Sequence, residues 1–139
     1  MNQELKRSII IDNYQNSPNR KRHEEESYIK INTNNSSCID NIDLYLKIED
    51  DIIKDVTFEG EACVISISST SILTNLLIGK TITQALDIIN NYLKMINEEE
   101  YDKEMLKDLI VFEDVSKQPS RIKCATLTAL GIEKKLKNE

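Results

Sequence analysis

Four side chains carry the chemistry that this sequence could perform. They are Cys38 and Asp40 in Ser36-Ser37-Cys38-Ile39-Asp40, Cys63 in Gly60-Glu61-Ala62-Cys63, and Cys124 in Arg121-Ile122-Lys123-Cys124. Three thiolates and one carboxylate make up the four donors of a tetrahedral Zn²⁺, a borderline-soft ion that accepts both sulfur and oxygen. The stoichiometry closes without histidine: His23, the single one in the chain, precedes three glutamates in a polar stretch and is not expected to bind metal. Free cysteines are also common as small buried hydrophobes. With no Cys-x-x-Cys pair and long gaps between the three, spacing alone leaves both readings open.

For such a site to exist, three separate parts of the chain must meet. Tyr28, Ile29 and Ile31 predict a strand, and Ile42, Leu44, Leu46 and Ile48 alternate with Asp43, Tyr45 and Lys47 in the period of a half-buried second strand. After a turn at Glu49-Asp50-Asp51, either Ile52 or Ile53 with Val56 and Phe58 predicts a third strand ending at Gly60, so residues 27–59 read as an antiparallel three-stranded meander. Helices are expected before and after it. Leu5, Ile9, Ile10 and Tyr14 share one helical face over residues 3–15, ahead of Pro18. Beyond Cys63, Val64, Ile67, Ile72 and Leu76 keep helical spacing up to a stop at Gly79. Thr81 or Thr83 then caps a helix whose Leu86, Ile89, Leu93 and Ile96 point inward. Pro119 opens a last helix buried through Ile122, Ala125, Leu127 or Leu130, and Ile132. The stretches Asn16–Glu26 and Glu98–Asp108 read as solvated connections. Strands in one block and helices in the next give an α+β class, with helices packed on one face of a small sheet. Cys38 then falls in a strand-to-strand loop, Cys63 at a strand-to-helix turn and Cys124 at a helix start, three boundaries that can converge at one end of a sheet.

Composition narrows the function. At 139 residues, 40% hydrophobic and 30% charged, with 3 Gly and 2 Pro, the chain is expected to form a single domain over residues 1–139. Acidic residues outnumber basic ones, 24 to 18, for a formal charge of -6, and the Arg20-Lys21-Arg22 run is followed at once by His23-Glu24-Glu25-Glu26. That balance repels a phosphate backbone, and 5% aromatic content without Trp offers little to stack on bases, so nucleic acid is not an expected partner. No apolar run approaches the ~20 residues that span a bilayer, and Met1 to Arg7 lacks a signal peptide's features, so a cytoplasmic location is expected. In that compartment an odd number of widely spaced cysteines reads as thiols or metal ligands, not disulfide halves.

The text around the cysteines goes further. Ile11-Asp12-Asn13-Tyr14-Gln15-Asn16-Ser17-Pro18-Asn19, Phe58-Glu59-Gly60-Glu61-Ala62-Cys63 with the Ser-rich stretch Ser66 to Ser71, and above all Val115-Ser116-Lys117-Gln118-Pro119-Ser120-Arg121-Ile122-Lys123-Cys124-Ala125-Thr126-Leu127 follow one family's pattern end to end. The chain resembles the SufU-type branch of the IscU and NifU-N-like iron-sulfur cluster assembly proteins. IscU-branch members place His before the last cysteine, where Lys123 stands here, and the Cys63 to Cys124 interval carries the extra helical segment of the SufU branch.

The resemblance implies a SufE/IscU-like fold with Cys38, Asp40, Cys63 and Cys124 as zinc ligands, Cys38 as sulfur acceptor and Arg121 just behind the ligands. It also implies a SufS-type cysteine desulfurase as sulfur donor and a downstream SufB/SufC/SufD-type scaffold complex as a further partner. The implied activity is a zinc-dependent sulfurtransferase, in which Cys38 leaves the metal for a ligand of the partner and takes persulfide sulfur. Two other functions fit the same resemblance: a scaffold building a transient iron-sulfur cluster on the same four residues, and a metal-stabilised desulfurase-binding protein without transfer. Two family glycines have become Ile39 and Ala62. If those positions need left-handed backbone, a β-branched Ile39 is strained there and the loop geometry is altered.

Overall fold

The computed structural model describes residues 1–35 and 38–138; Ser36, Ser37 and Glu139 lie outside the described residues. Strands β1 (Ile29–Asn34), β2 (Asn41–Glu49) and β3 (Ile52–Glu61) form an antiparallel sheet in the order β1-β2-β3. Asp50 and Asp51, both at positive φ (52° and 60°), make the two-residue turn between β2 and β3, the turn geometry that matches strand twist. Ile42, Leu44, Leu46, Val56 and Phe58 are fully buried on one face, with Leu44 opposite Phe58 and Leu46 opposite Val56. Period-2 alternation fixes this register, because a one-residue slip would turn the row to the other face.

Five α-helices and two 3₁₀ helices (Lys107–Phe112 and Val115–Lys117) complete the described chain, the α-helices being α1 (Gln3–Gln15), α2 (Val64–Leu77), α3 (Ile82–Ile96), the short α4 (Lys103–Leu106) and α5 (Pro119–Lys137). They make this an α+β fold with the helical layer on the apolar face of the sheet, as the sequence predicts. Thr81 caps α3 in a reciprocal capping box with Gln84, and Pro119 opens α5, where its missing N–H costs nothing. The chain leaves α2 through Gly79 at φ +86°. Its N–H donates to the Ile53 carbonyl, while the Ile53 N–H donates to Lys80, which closes one end of the free edge of β3.

The structure corrects several expectations of burial. Leu5 and Tyr14 of α1 are exposed; the buried residue of that helix is Lys6, whose stem packs inward while its Nζ meets Glu113 at 2.6 Å and Asp114 at 2.9 Å. In α3 the inward stripe runs through Ala85, Ile88, Ile89, Tyr92, Met95 and Ile96, leaving Leu86 and Leu93 on its margin. Of the two alternatives in α5, Leu127 packs against the core and Leu130 is exposed, with Ala129 buried beside it. The connection at Glu98–Asp108 is not wholly solvated, since Leu106 is fully buried. Neither is the stretch Asn16–Glu26. The Phe58 N–H donates to the Asn19 carbonyl, Arg20 donates to Gly60 O at 2.7 Å, and His23 stacks on Tyr28 with ring centroids 4.0 Å apart. That segment closes the other end of the β3 edge.

Helix α2 is buried on nearly every side, between α1, α5 and β3, yet six of its residues from Ser66 to Thr74 bear hydroxyls. Each needs a partner in the interior. Thr70 pairs with Thr128 of α5 at 2.6 Å, Ser71 donates to Asn13 of α1 at 2.9 Å, and Thr74 bonds with Asn19. These contacts fix the rotation of α2 and, with it, the direction of its first turn. Among the described residues, no helix is long and apolar enough to cross a membrane.

Candidate metal centre

The first turn of α2 is where the site begins. Cys63 is its N-cap, in extended conformation, with its Sγ accepting the Ser66 N–H at 3.5 Å. Electron-rich sulfur at this position faces the unpaired N–H groups that every helix leaves at its start. Cys63 lies just beyond β3, whose close pairing with β2 is set at Gly60. Gly60 has φ +138°, and a Cβ there would stand 2.2 Å from the Asn41 carbonyl oxygen. Asp40 immediately precedes β2, so the β2–β3 ladder delivers it beside Cys63: the Cys63 N–H donates to Asp40 Oδ1 at 2.8 Å.

Cys38 enters from the β1–β2 connection. Its N–H donates to the Asn35 carbonyl, and the Asn35 N–H donates to the Asp40 carbonyl, both at 3.0 Å. Cys124 comes from α5, in the second turn and not at the helix start, and is buried at 6% exposure. The Sγ atoms of Cys38, Cys63 and Cys124 and a carboxylate oxygen of Asp40 all lie within 4.8 Å of one another. A tetrahedral shell with Zn–S near 2.3 Å and Zn–O near 2.0 Å has edges of about 3.5–3.8 Å, so the four donors need contract only slightly around an ion. Their chemistry fits as well as their spacing, three soft sulfurs and one hard oxygen, with Cys38 exposed and Asp40 and Cys124 buried. The group can hold a metal ion.

Electrostatics agree with that use. Burial works to raise the pKa of Asp40, but hydrogen bonds from Ser66, from the Cys63 N–H and from the thiols of Cys124 and Cys38 outweigh it, and the carboxyl is held below its ordinary value. Cys124 moves the other way: burial, then the Asp40 carboxylate and Cys63, push its thiol up to about 12. Without a cation it keeps its proton, and binding a metal must displace it.

The remaining sequence candidates stand apart. Arg121 is exposed, one turn before Cys124, on the wall of a groove of about 340 Å³ shared with Gln3, Arg7, Ile11 and Val64. Among the described residues no side-chain hydrogen bond runs from it to the four donors. Lys123 is exposed. His23 is occupied elsewhere, with Nδ1 3.1 Å from Glu25 and Nε2 3.7 Å from Asp55. The expected distortion at the replaced glycines is absent: neither Ile39 nor Ala62 has positive φ. Ile39 instead presents its side chain to solvent at 71% exposure, beside Cys38. Two described residues that shape the site, Asn35 and Ser66, carry no predicted role; for Ser66 its place three residues into the helix capped by Cys63 is a signal available in the sequence.

Comparison with known proteins matches the NifU-like N-terminal domain family over residues 5–125. The chain is 40% identical to the zinc-dependent sulfurtransferase SufU of Bacillus subtilis over 136 residues, 97% of this chain and 91% of that one. It is 34% identical to the iron-sulfur cluster assembly scaffold protein IscU of Thermotoga maritima over 130 residues, 94% of this chain and 92% of that one. Among solved structures it is similar to a protein of Fervidobacterium islandicum AW-1 put forward as the iron-sulfur cluster assembly scaffold of the SUF system. The TM-score is 0.86 at 34% identity, covering 90% of this chain and 91% of that one.

Proposed function

This chain belongs to the NifU-like N-terminal domain family, and from that premise we propose that it is a zinc-dependent sulfurtransferase taking persulfide sulfur from a SufS-type cysteine desulfurase. Cys38, Asp40, Cys63 and Cys124 hold the ion in this reading. Bound zinc keeps sulfur donors as thiolates at neutral pH, where a free thiol is mostly protonated.

The observation that carries the assignment is the unequal exposure of three clustered thiols. Cys124 is buried, Cys63 is half-buried at the helix cap, and Cys38 is exposed. Cys38 is the thiol most open to a sulfur carried on another protein. Its thiolate attacks the outer sulfur of the donor persulfide; the new S–S bond forms as the donor's S–S bond breaks, and the donor cysteine leaves as thiolate. Cys38 then carries the persulfide, and a SufB/SufC/SufD-type complex is its downstream acceptor. Asp40 remains ionised in its hydrogen bonds, and Cys63 and Cys124 stay anchored to α2 and α5. Arg121, exposed one turn before Cys124, is assigned in this reading to contact with the donor protein.

The scaffold reading has one observation of its own, that the Thermotoga and Fervidobacterium relatives carry scaffold descriptions. Metal analysis joined to persulfide mapping tests both. Zinc near one per chain, with mass spectrometry finding added sulfur on Cys38 after incubation with desulfurase and cysteine, supports transfer. Sulfur on Cys63 or Cys124 with Cys38 unmodified overturns the assignment, and a brown protein purified with iron and sulfide favours the scaffold.

A further inference from the structure

We infer that Ser66 is a positioning residue for the metal centre, its hydroxyl orienting the Asp40 carboxylate from the first turn of α2. The inference rests on the zinc reading above. Ser66 is fully buried, so its hydroxyl cannot be satisfied by bulk water and must bond within the protein. It stands 2.5 Å from Asp40 Oδ2 and 3.2 Å from the Cys124 carbonyl oxygen. A hydroxyl has one proton for these two acceptors, and the shorter, charge-assisted bond to the carboxylate takes it.

Asp40 is itself almost fully buried. Its Oδ1 is held by the Cys63 N–H at 2.8 Å and its Oδ2 by Ser66, so both oxygens are fixed and each keeps a lone pair for an ion. The Oδ2 atom is also the one 3.9 Å from Cys63 Sγ, close to the separation of two ligands on one tetrahedral ion. The Ser66 N–H meanwhile donates to Cys63 Sγ. One residue thus contacts Asp40, Cys63 and the backbone of Cys124, three of the four donor residues, while offering no ligand of its own. Supporting hydrogen bonds of this kind fix the orientation of metal ligands and so contribute to metal affinity.

The test is a double-mutant cycle read as zinc affinity by chelator competition, on wild type, Ser66→Ala, Asp40→Ala and the double variant. Circular dichroism of the metal-free proteins comes first. Ser66→Ala is expected to weaken zinc about 10- to 100-fold. In the Asp40→Ala background the same change is expected to cost no more than about twofold, because the group through which it acts is gone. Cobalt supplies a signature beyond stability: Co²⁺-loaded Ser66→Ala should shift its ligand-field bands while keeping thiolate charge-transfer intensity. Zinc affinity of Ser66→Ala within about twofold of wild type, or equal losses in both backgrounds, overturns the inference. Should Ser66→Ala fail to fold, Ser66→Thr against Ser66→Val decides, since both add the same bulk and only Thr keeps the hydroxyl. Thr binding at least about tenfold tighter than Val supports the role, and equal affinity refutes it. Failure of the zinc reading looks different, since wild type itself would then bind neither zinc nor cobalt.

Discussion

Gly60→Ala should damage the metal site from outside it. The added Cβ would stand 2.2 Å from Asn41 O and 3.0 Å from Ile42 Cα, both backbone atoms with no rotamer to escape into. Restoring ordinary contact, about 3.5 Å, requires the start of β2 to move from β3 by roughly 1 Å. Asp40 is the residue before that start and Cys63 lies three beyond Gly60, so the displacement separates two donors. Strain at φ +138° costs about 1–3 kcal/mol and a disturbed ladder hydrogen bond about 1 kcal/mol more, offset by roughly 0.4–1 kcal/mol from a less flexible unfolded chain. The net expectation is a loss of about 2–3 kcal/mol, read from urea unfolding of the metal-free protein. Zinc affinity should fall at least about tenfold, as it does when ligand orientation is lost. A variant within about 0.5 kcal/mol of wild type that binds zinc equally well would refute the argument that this strand junction sets the site.

Three further outcomes are expected. Lys6→Met should lower stability at neutral pH by about 1–2 kcal/mol, as a partly exposed ion pair warrants, when followed by urea titration. The Lys6 hydrogen bonds hold Glu113 and Asp114 below their ordinary pKa values, so wild type should lose their contribution as pH falls below about 4, whereas the variant's stability should vary less there; parallel acid limbs would contradict this. Removing zinc with a chelator should lower the melting temperature by about 10 °C relative to protein in large zinc excess, with no such difference in Cys63→Ser, as differential scanning fluorimetry will show. Ile39→Gly should reduce stability by about 0.4–1 kcal/mol while speeding single-turnover sulfur acceptance, because a β-branched residue narrows the backbone range of the loop beside Cys38. An unchanged or slower rate would mean that the loop does not limit transfer.

What could be read from the sequence was what repeats along the chain or abuts a cap. The alternation from Ile42 to Ile48 placed β2 and its buried face, and the extent of α1, a threonine cap on α3 at either Thr81 or Thr83, and Pro119 at the head of α5 followed from local rules, the structure choosing Thr81. Contacts between distant segments were not legible. Nothing in Asn16–Glu26 announces that Asn19 accepts from Phe58, nor does the Leu5 periodicity reveal that Lys6 has two carboxylates waiting more than 100 residues away. Tyr45 sits at a polar position of the alternation yet is buried, because its hydroxyl reaches Glu59 across the strand pair.

The three positions around Cys38 and Cys63 that bear on family glycines separate along the same line. Gly60 has positive φ and a backbone oxygen where its side chain would be; Ile39 and Ala62 have neither positive φ nor, for Ile39, any burial. Glycine persists where two strands must touch and is replaced where the backbone does not require it. The residues expected to alter the loop geometry therefore leave the supports of the site in place, since Asp40 is held by the Cys63 N–H and Ser66, and Cys63 by the first turn of α2. What they change is the surface that a partner meets: an exposed isoleucine adjoins the most exposed thiol, so their effect belongs on the rate of encounter and transfer more than on the affinity for metal.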